Sequence, residues 1–323
     1  MPRRLAMTMD PVAHPAPAAQ ALVLGSHARR SKSWRLKSLR TLADYWGLTK
    51  PEINFMIAIT TAGGFWMAAD PERFSWLTLL HTVASTVFVA SGAAALNQVM
   101  EKPYDSQMRR TQGRPLVVGR IKASSASYFG WLISLLGLVY LAISTSRMAS
   151  LLAAISLLGY LFLYTPLKRK TRLATFIGAI FGALPPLIGW AAVRGSLEPN
   201  AWVLFAIVFL WQIPHFAAIA WMYREDYARA GYRVMPSDAF GGALVRWEAM
   251  VGAAVLVPLG IAPTLGSGLG PVVSASAFLI SALFLCAAGR FAFFPSRFTA
   301  RRLLVASIIY LPLMFGVIAA AKR

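Results

Sequence analysis

The chain has 323 residues, of which 57% are apolar and only 14% charged, and its mean hydropathy is +0.58. A soluble domain is typically about half apolar and about a quarter charged, so a soluble protein is excluded, and with it a nucleic-acid-binding one, despite the net charge of +20. The single cysteine, Cys286, excludes a disulfide framework and a multi-cysteine metal site. The composition predicts an integral membrane protein.

Charge-free apolar runs of spanning length predict an all-α membrane fold with nine transmembrane helices. The predicted spans are residues 53–69, 76–99, 127–146, 149–167, 174–193, 199–223, 249–264, 271–289 and 303–321. The count is eight or nine, because two runs are short and 249–264 contains Pro258 and Pro263.

Residues 1–45 are basic and rich in proline and alanine, and they contain no apolar run of spanning length. They predict a flexible tail ahead of a membrane domain at residues 46–323. An organelle transit peptide is the alternative, because the segment is rich in arginine and poor in acids.

Positive charge is divided unequally between the two sides of the predicted bundle. With nine spans, 27 Lys and Arg residues fall on the side of the N-terminus and 5 on the other. We call the first side, which holds the N-terminus and loops 101–126, 168–173, 224–248 and 290–302, the basic face. The positive-inside rule places this face in the cytoplasm, and a bacterial inner membrane is expected rather than a mitochondrial one.

The segment that leaves the second span carries oxygen-bearing side chains at helical spacing. Asn97, Glu101 and Asp105 stand at i, i+4 and i+8, which places them on one side of a helix. Mg²⁺ prefers such carboxylate and amide oxygens and shares them with phosphate. Pro103 lies within this helix and predicts a kink that turns Asp105 away from Glu101.

Basic side chains follow these carboxylates and recur after the fourth span. Arginine forks suit phosphate oxygens, so carboxylates and cations together indicate a metal-bound diphosphate. Topology alone is the alternative explanation of the basic loops. The candidate diphosphate contacts are Arg109, Arg110, Arg114, Lys168 and Arg169.

A second acidic pair, Glu225 and Asp226, follows the sixth span on the same face. Two carboxylate groups on one face can hold bridging metal ions against one diphosphate. A juxtamembrane ion pair with Arg224 or Arg229 is the alternative. His215 lies inside the sixth span, where it is either a satisfied buried histidine or a contact to substrate or haem iron.

These motifs resemble the intramembrane prenyltransferases of the UbiA superfamily, and within it the branch that farnesylates haem. Asn97, Glu101 and Asp105 stand at the family's Asn-x-x-x-Asp-x-x-x-Asp motif, with Glu for the first Asp. Pro103 and Ala217 depart from the pattern. The segments that match the haem branch or the second acidic region are Leu48–Pro51, Arg109–Pro115, Tyr164–Arg169, Gly182–Trp190, Pro214–Phe216 and Asp226–Gly231.

The resemblance implies nine helices around a central cavity that opens at the cytoplasmic face and laterally to lipid. It implies that farnesyl diphosphate alkylates a vinyl group of haem B and that water addition gives haem O. Mg²⁺ is the implied cofactor, with Asn97, Glu101, Asp105 and Asp226 as catalytic ligands and Glu225 as a further ligand. The implied cavity residues are His215, Tyr164, Trp190 and Trp211.

Farnesyl diphosphate, haem B and the lipid bilayer are the expected partners, with a haem A synthase or terminal oxidase as a possible assembly partner. Two other functions fit the residues. One is a relative that prenylates a quinone precursor or another aromatic, and the other is an inactive haem-handling membrane protein.

Overall fold

The computed structural model describes residues 39–233, 239–265 and 270–322, without the side chains of residues 239 and 240. The chain divides into two compact units, residues 1–45 and 46–323. Residues 39–45 are helical. The rest of the predicted tail lies outside the described residues.

The described part of the second unit is helical and contains no strand. The helices are α1 (Pro51–Ala68), α2 (Trp76–Asp105), α3 (Ala123–Ser144), α4 (Arg147–Leu158), α5 (Ala174–Gly182), α6 (Pro185–Arg194), α7 (Pro199–Met222), α8 (Arg224–Arg229), α9 (Ala239–Ile261), α10 (Gly270–Phe293) and α11 (Arg297–Ala321). A π-helical turn, Gly159–Tyr164, and one more helical turn, Thr165–Leu167, extend α4 to the basic face.

Eight helical segments within the described residues are long and apolar enough to cross a membrane. They correspond to the second to ninth predicted spans, and α5 and α6 together form one of them. The first predicted span coincides with α1, which is 18 residues long but is not among the eight. It carries Glu52, Asn54, Thr60 and Thr61, and the last three are buried within the bundle.

The prediction of a loop over residues 224–248 is wrong, because α9 already begins at Ala239. Arg246 interrupts the apolar run in the sequence but is accommodated in the helix. Its guanidinium donates to the carbonyl oxygens of Gly242 at 3.3 Å and Ala292 at 3.2 Å. A charged side chain near a helix end can reach polar partners in this way, so charge alone does not mark the end of a membrane helix.

The predicted fifth span is broken between Gly182 and Pro185, where two prolines interrupt the backbone hydrogen bonds. Gln212 of α7 lies at this break. Its amide nitrogen donates to the carbonyl oxygens of Ala179 at 3.0 Å and Val208 at 3.1 Å. A break at membrane depth is tolerated when protein satisfies the exposed backbone groups. The Phe181 carbonyl oxygen, which loses its helical donor to Pro185, accepts from Ser156 Oγ at 3.0 Å.

Helices α1 and α6 cross at two glycines that allow the backbones to touch. A Cβ atom on Gly189 would lie 2.0 Å from the carbonyl oxygen of Thr61, and one on Gly64 would lie 2.0 Å from that of Pro186. Small residues allow this close approach in membrane bundles. The crossing holds α1 in place, and the first turn of α1 lies at the cavity on the basic face.

We predict that Gly189→Ala lowers the free energy of unfolding in detergent by about 1–3 kcal/mol, because the added methyl group overpacks a backbone contact. Gly316→Ala is the matched control, since Gly316 is a helical glycine with open space around its Cβ position. Thermal unfolding of both variants measures the difference. Equal melting temperatures would contradict the close crossing.

Candidate active site

A cavity of about 310 Å³ opens at the basic face, where α1 begins and where α2, the extended α4 and α7 end. Its charged lining consists of four cations and three carboxylates. The charged residues are Lys50, Arg110, Arg114, Lys168, Glu52, Glu101 and Asp105. The other lining residues are Ile53, Asn97, Met108, Tyr160, Tyr164, Thr175, Phe216, Ile219, Ala220, Tyr227 and Tyr232.

The regular spacing in α2 brings Asn97, Glu101 and Asp105 to this cavity together. Their exposed fractions are 0%, 7% and 1%. Helix α2 continues through Pro103 to Asp105. The kink predicted from Pro103 therefore does not keep Asp105 away from the cavity that Glu101 lines.

Both buried carboxylates have a cationic partner from another part of the chain. Lys168 Nζ donates to Glu101 Oε1 at 2.8 Å, and Arg114 Nη1 donates to Asp105 Oδ2 at 2.5 Å. Removing a charge from water is costly unless it is paired and hydrogen-bonded. These two pairs therefore explain how two acids and two bases remain charged at the end of the bundle.

The pair with Glu101 also keeps Lys168 protonated. Burial by itself lowers the pKa of a lysine, but the Glu101 carboxylate outweighs it and holds the pKa of Lys168 well above its usual value. A raised lysine pKa stabilises the fold at every pH below its usual value, and this contribution is lost only in strong alkali. Lys168 is thus a permanent positive charge in the cavity at neutral pH.

Lys50 is a cavity residue that the sequence analysis did not single out. It precedes Pro51 in a left-handed conformation, with φ 52° and ψ 66°, and its Nζ donates to Asn97 Oδ1 at 3.1 Å. Burial, followed by the nearby Arg114 charge, lowers the pKa of Lys50 to about 7. The feature of the sequence that could have identified Lys50 is its position in the Leu48–Pro51 segment, directly before the first predicted span.

Asn97 is held from both ends of its amide group. Its oxygen accepts from Lys50, and its nitrogen donates to Thr165 Oγ1 at 3.1 Å. Thr165 in turn donates to the carbonyl oxygen of Tyr160 at 2.8 Å. This series of hydrogen bonds links α2 to the π-helical turn that carries Tyr160 and Tyr164, which both line the cavity.

The donor atoms fit a hard cation bound together with an anion. Asp105 Oδ1 is buried and has no hydrogen-bond partner, so one carboxylate oxygen on the helix face that carries Asn97 and Glu101 is not bonded within the protein. Over the described ranges, no group of three or more His, Cys, Asp or Glu side chains is placed to hold a metal ion. A metal here would need an amide oxygen and the ligand's own oxygens to complete its shell, which is typical of Mg²⁺.

The structure does not bring the second acidic pair to the cavity. Glu225 is exposed. Asp226 is buried, but its carboxylate accepts the backbone N–H groups of Arg109 at 3.3 Å and Arg110 at 3.2 Å and also pairs with Arg229. Both oxygens are therefore used within the protein.

Two of the five predicted diphosphate contacts lie away from the cavity lining. The side chain of Arg109 is exposed. Arg169 lies over the ring of Tyr104, 4.4 Å from its centroid, and donates to its hydroxyl at 2.7 Å. The other three predicted contacts, Arg110, Arg114 and Lys168, line the cavity.

Among the predicted cavity residues, only Tyr164 is part of the lining. Trp190 is buried, and Trp211 donates its Nε1–H to the carbonyl oxygen of Ser307 at 2.7 Å. His215 stacks on Trp211 and lies 2.8 Å from Ser307 Oγ through Nδ1. Phe216, the next residue along the chain, reaches the cavity instead.

An all-helical membrane bundle with buried carboxylates and cations around one cavity at its basic face is the architecture of an intramembrane prenyltransferase. Residues 57–311 match the UbiA prenyltransferase family. The chain belongs to that family.

Three similar sequences from this family share one name. The chain is 43% identical to the protoheme IX farnesyltransferase of Solibacter usitatus over 85% of its own length and 97% of that protein. It is 38% identical to the protein of that name from Koribacter versatilis over 85% of its own length and 92% of the relative. Identity with the mitochondrial protoheme IX farnesyltransferase of Arabidopsis thaliana is 35%, over 84% of this chain and 63% of that one.

Solved structures show the same fold at low sequence identity. A digeranylgeranylglyceryl phosphate synthase superposes with a TM-score of 0.69 and 21% identity, covering 88% of this chain and 100% of that one. A UbiA homologue from Archaeoglobus fulgidus, bound to GPP and Mg²⁺, superposes with a TM-score of 0.63 and 16% identity over 85% and 99% of the two chains. These likenesses establish the fold.

We predict that Lys168→Met lowers the free energy of unfolding by about 3 kcal/mol or more, because it leaves Glu101 buried and unpaired. The double variant Glu101→Gln/Lys168→Met should recover most of the loss, since the unpaired charge is gone. Denaturation in detergent micelles of the wild type, both single variants and the double variant completes the cycle. Additive losses in the double variant would contradict a direct pairing.

Proposed function

We propose that the protein transfers the farnesyl group of farnesyl diphosphate to a vinyl group of protohaem IX, with addition of water, to give haem O and diphosphate. The observation that carries this proposal is the 43% identity with a protoheme IX farnesyltransferase across nearly its whole length. The cavity supports the same chemistry, because its cations and carboxylates suit a metal-bound diphosphate.

The cationic lining binds the diphosphate of the substrate. Lys168 and Arg114 each bond to a carboxylate and can turn their remaining N–H groups to phosphate oxygens. Arg110 adds a further guanidinium. Lys50 Nζ, which donates to Asn97 Oδ1, adds a further N–H donor.

Asn97, Glu101 and Asp105 are the residues that would hold Mg²⁺, with the free Asp105 Oδ1 as the open ligand position. A bound Mg²⁺ supplies charge neutralisation of the diphosphate leaving group. Glu225 and Asp226 are not assigned to this set, since one is exposed and the other is bonded to the 109–110 backbone.

The reaction needs no covalent enzyme intermediate. The allylic C–O bond breaks and its electron pair leaves with the diphosphate, whose charge the cations stabilise in a site of low dielectric. The vinyl π electrons then attack the allylic carbon. Water adds to the resulting porphyrin-side cation and loses a proton. Phe216 and Ile219 provide an apolar wall against early attack by water, and the Tyr160 and Tyr164 rings can face the allylic cation.

We place the protein in a bacterial inner membrane with its N-terminus and its basic face in the cytoplasm. The 27 to 5 division of basic residues supports this orientation. The cavity then opens to the compartment that contains soluble diphosphates.

The function is tested by expressing the chain in a bacterium that lacks haem O and determining the extracted haems by mass. The proposal predicts a new haem heavier than haem B by one farnesyl group and one hydroxyl group. Extracts with haem B alone, although the protein is present in the membrane fraction, would overturn it.

Within that assay, Asp105→Asn should reduce haem O formation by about 100-fold or more, because it removes a metal-binding charge at the leaving group. The variant keeps the side-chain size and should remain folded in detergent. Gly316→Ala, with open space around the substituted position, is the control that retains activity. Near-normal haem O formation by Asp105→Asn would refute the role of Asp105.

A related prenyltransferase acting on an aromatic acid is distinguished by the acceptor. Membranes with the protein, farnesyl diphosphate and Mg²⁺ should prenylate haem B and leave 4-hydroxybenzoate unchanged. Prenylated 4-hydroxybenzoate without haem O would assign the chain to the alternative function.

A further inference from the structure

Two segments at the basic face are joined through one buried carboxylate. The first is the loop between α2 and α3, residues 106–122, and the second is residues 223–233, which contain α8. Asp226 Oδ1 accepts from the Arg109 N–H at 3.3 Å, and Asp226 Oδ2 accepts from the Arg110 N–H at 3.2 Å. The side chain of Arg229 pairs with the same carboxylate and donates from Nε to the Gln107 carbonyl oxygen at 3.3 Å.

Asp226 and Asp105 differ in whether they line the cavity and in how their carboxylate oxygens are bonded. Asp105 lines the cavity and has one buried oxygen without a partner. Asp226 is 7% exposed and does not line the cavity, and each of its oxygens has a backbone donor. Two consecutive N–H groups on one carboxylate form a strong anchor for a loop, because hydrogen bonds to a charged group are the stronger kind.

The anchored loop delivers two cavity cations. Arg110 follows the first anchored N–H, and its guanidinium lies 4.9 Å from the centroid of the Tyr223 ring. Four residues on, Arg114 pairs with Asp105. A loop that is free at residues 109 and 110 would place Arg110 less firmly and would leave Arg114 held mainly by its pair with Asp105.

The second segment is itself fixed to the rest of the site. The Arg233 N–H donates to the Lys168 carbonyl oxygen at 2.9 Å. Tyr232 packs with Met108 of the loop, and Tyr227 packs against this small apolar cluster. Asp226 is therefore one of the polar links in a layer that joins three segments around the cavity.

We propose that Asp226 is a positioning residue: it holds the backbone of residues 109–110 so that Arg110 and Arg114 can contact the diphosphate, and it is not a ligand of the metal. The proposal rests on the proposed function, because it concerns the same diphosphate site. In this chain the aspartate of the second acidic region then anchors a loop and does not bind the metal.

The kinetic test separates the two roles of Asp226. Asp226→Ala should raise the KM for farnesyl diphosphate about tenfold, because charged hydrogen bonds that place the arginines are lost. The Mg²⁺ concentration for half-maximal activity should stay within about twofold of the wild type. Asp226→Asn should be partly rescued, since its amide oxygen still accepts an N–H. A tenfold shift in the Mg²⁺ requirement with an unchanged KM would overturn the proposal.

Two measurements without turnover complete the test. Trypsin should cleave Asp226→Ala in detergent after Arg109 or Arg110 several times faster than the wild type, whereas Gln112→Ala, an exposed position in the same loop, should cleave at the wild-type rate. Electron paramagnetic resonance with Mn²⁺ and inorganic pyrophosphate should show unchanged Mn²⁺ stoichiometry in Asp226→Ala and a loss in Asp105→Ala.

The outcomes distinguish this proposal from the proposed function. Loss of bound Mn²⁺ in Asp226→Ala, or unchanged cleavage after Arg109 and Arg110, would overturn the anchoring role of Asp226 even if the wild type makes haem O. Absence of haem O in the wild type would overturn the proposed function, while the cleavage comparison would still decide whether Asp226 anchors the loop.

Discussion

The structure depends on the pairing of buried charge at the basic end of α2. Glu101 and Asp105 are almost fully buried, and each is joined to a cation from a different segment. An unpaired charge at this depth would be expelled or neutralised. The pairs therefore bind the 106–122 loop and the end of α4 to α2, and the same four side chains form part of the charged wall of the cavity.

This arrangement connects stability to ligand binding. Glu101 and Asp105 are each neutralised by a basic side chain of the protein. Under the proposed function, a metal and a diphosphate would bring both charges together, so that the protein pairs could open without leaving any group unpaired. The four cations and three carboxylates of the lining thus match a ligand that is itself a positive and a negative ion combined.

Features that depend on local helix geometry could be predicted from the sequence. The partners of the charged side chains could not, because they come from distant parts of the chain. Spacing of four residues placed Asn97, Glu101 and Asp105 on one wall, since helix geometry alone determines that outcome. The partner of Glu101 lies 67 residues away, and Asp226 meets Arg109 from 117 residues away. Only the packed bundle shows that Asp226 faces the loop instead of the cavity. Lys50 was missed because a single lysine before the first span also fits a topological role.

The central claim is that the cavity binds a diphosphate together with a metal. Binding of a non-ionising farnesyl thiodiphosphate to the purified wild-type protein, measured by calorimetry with Mg²⁺ and then with a chelator, tests it most directly. The account predicts one site per chain, with affinity that falls by about tenfold or more on removal of Mg²⁺. Absence of binding, or equal affinity in both conditions, would contradict it.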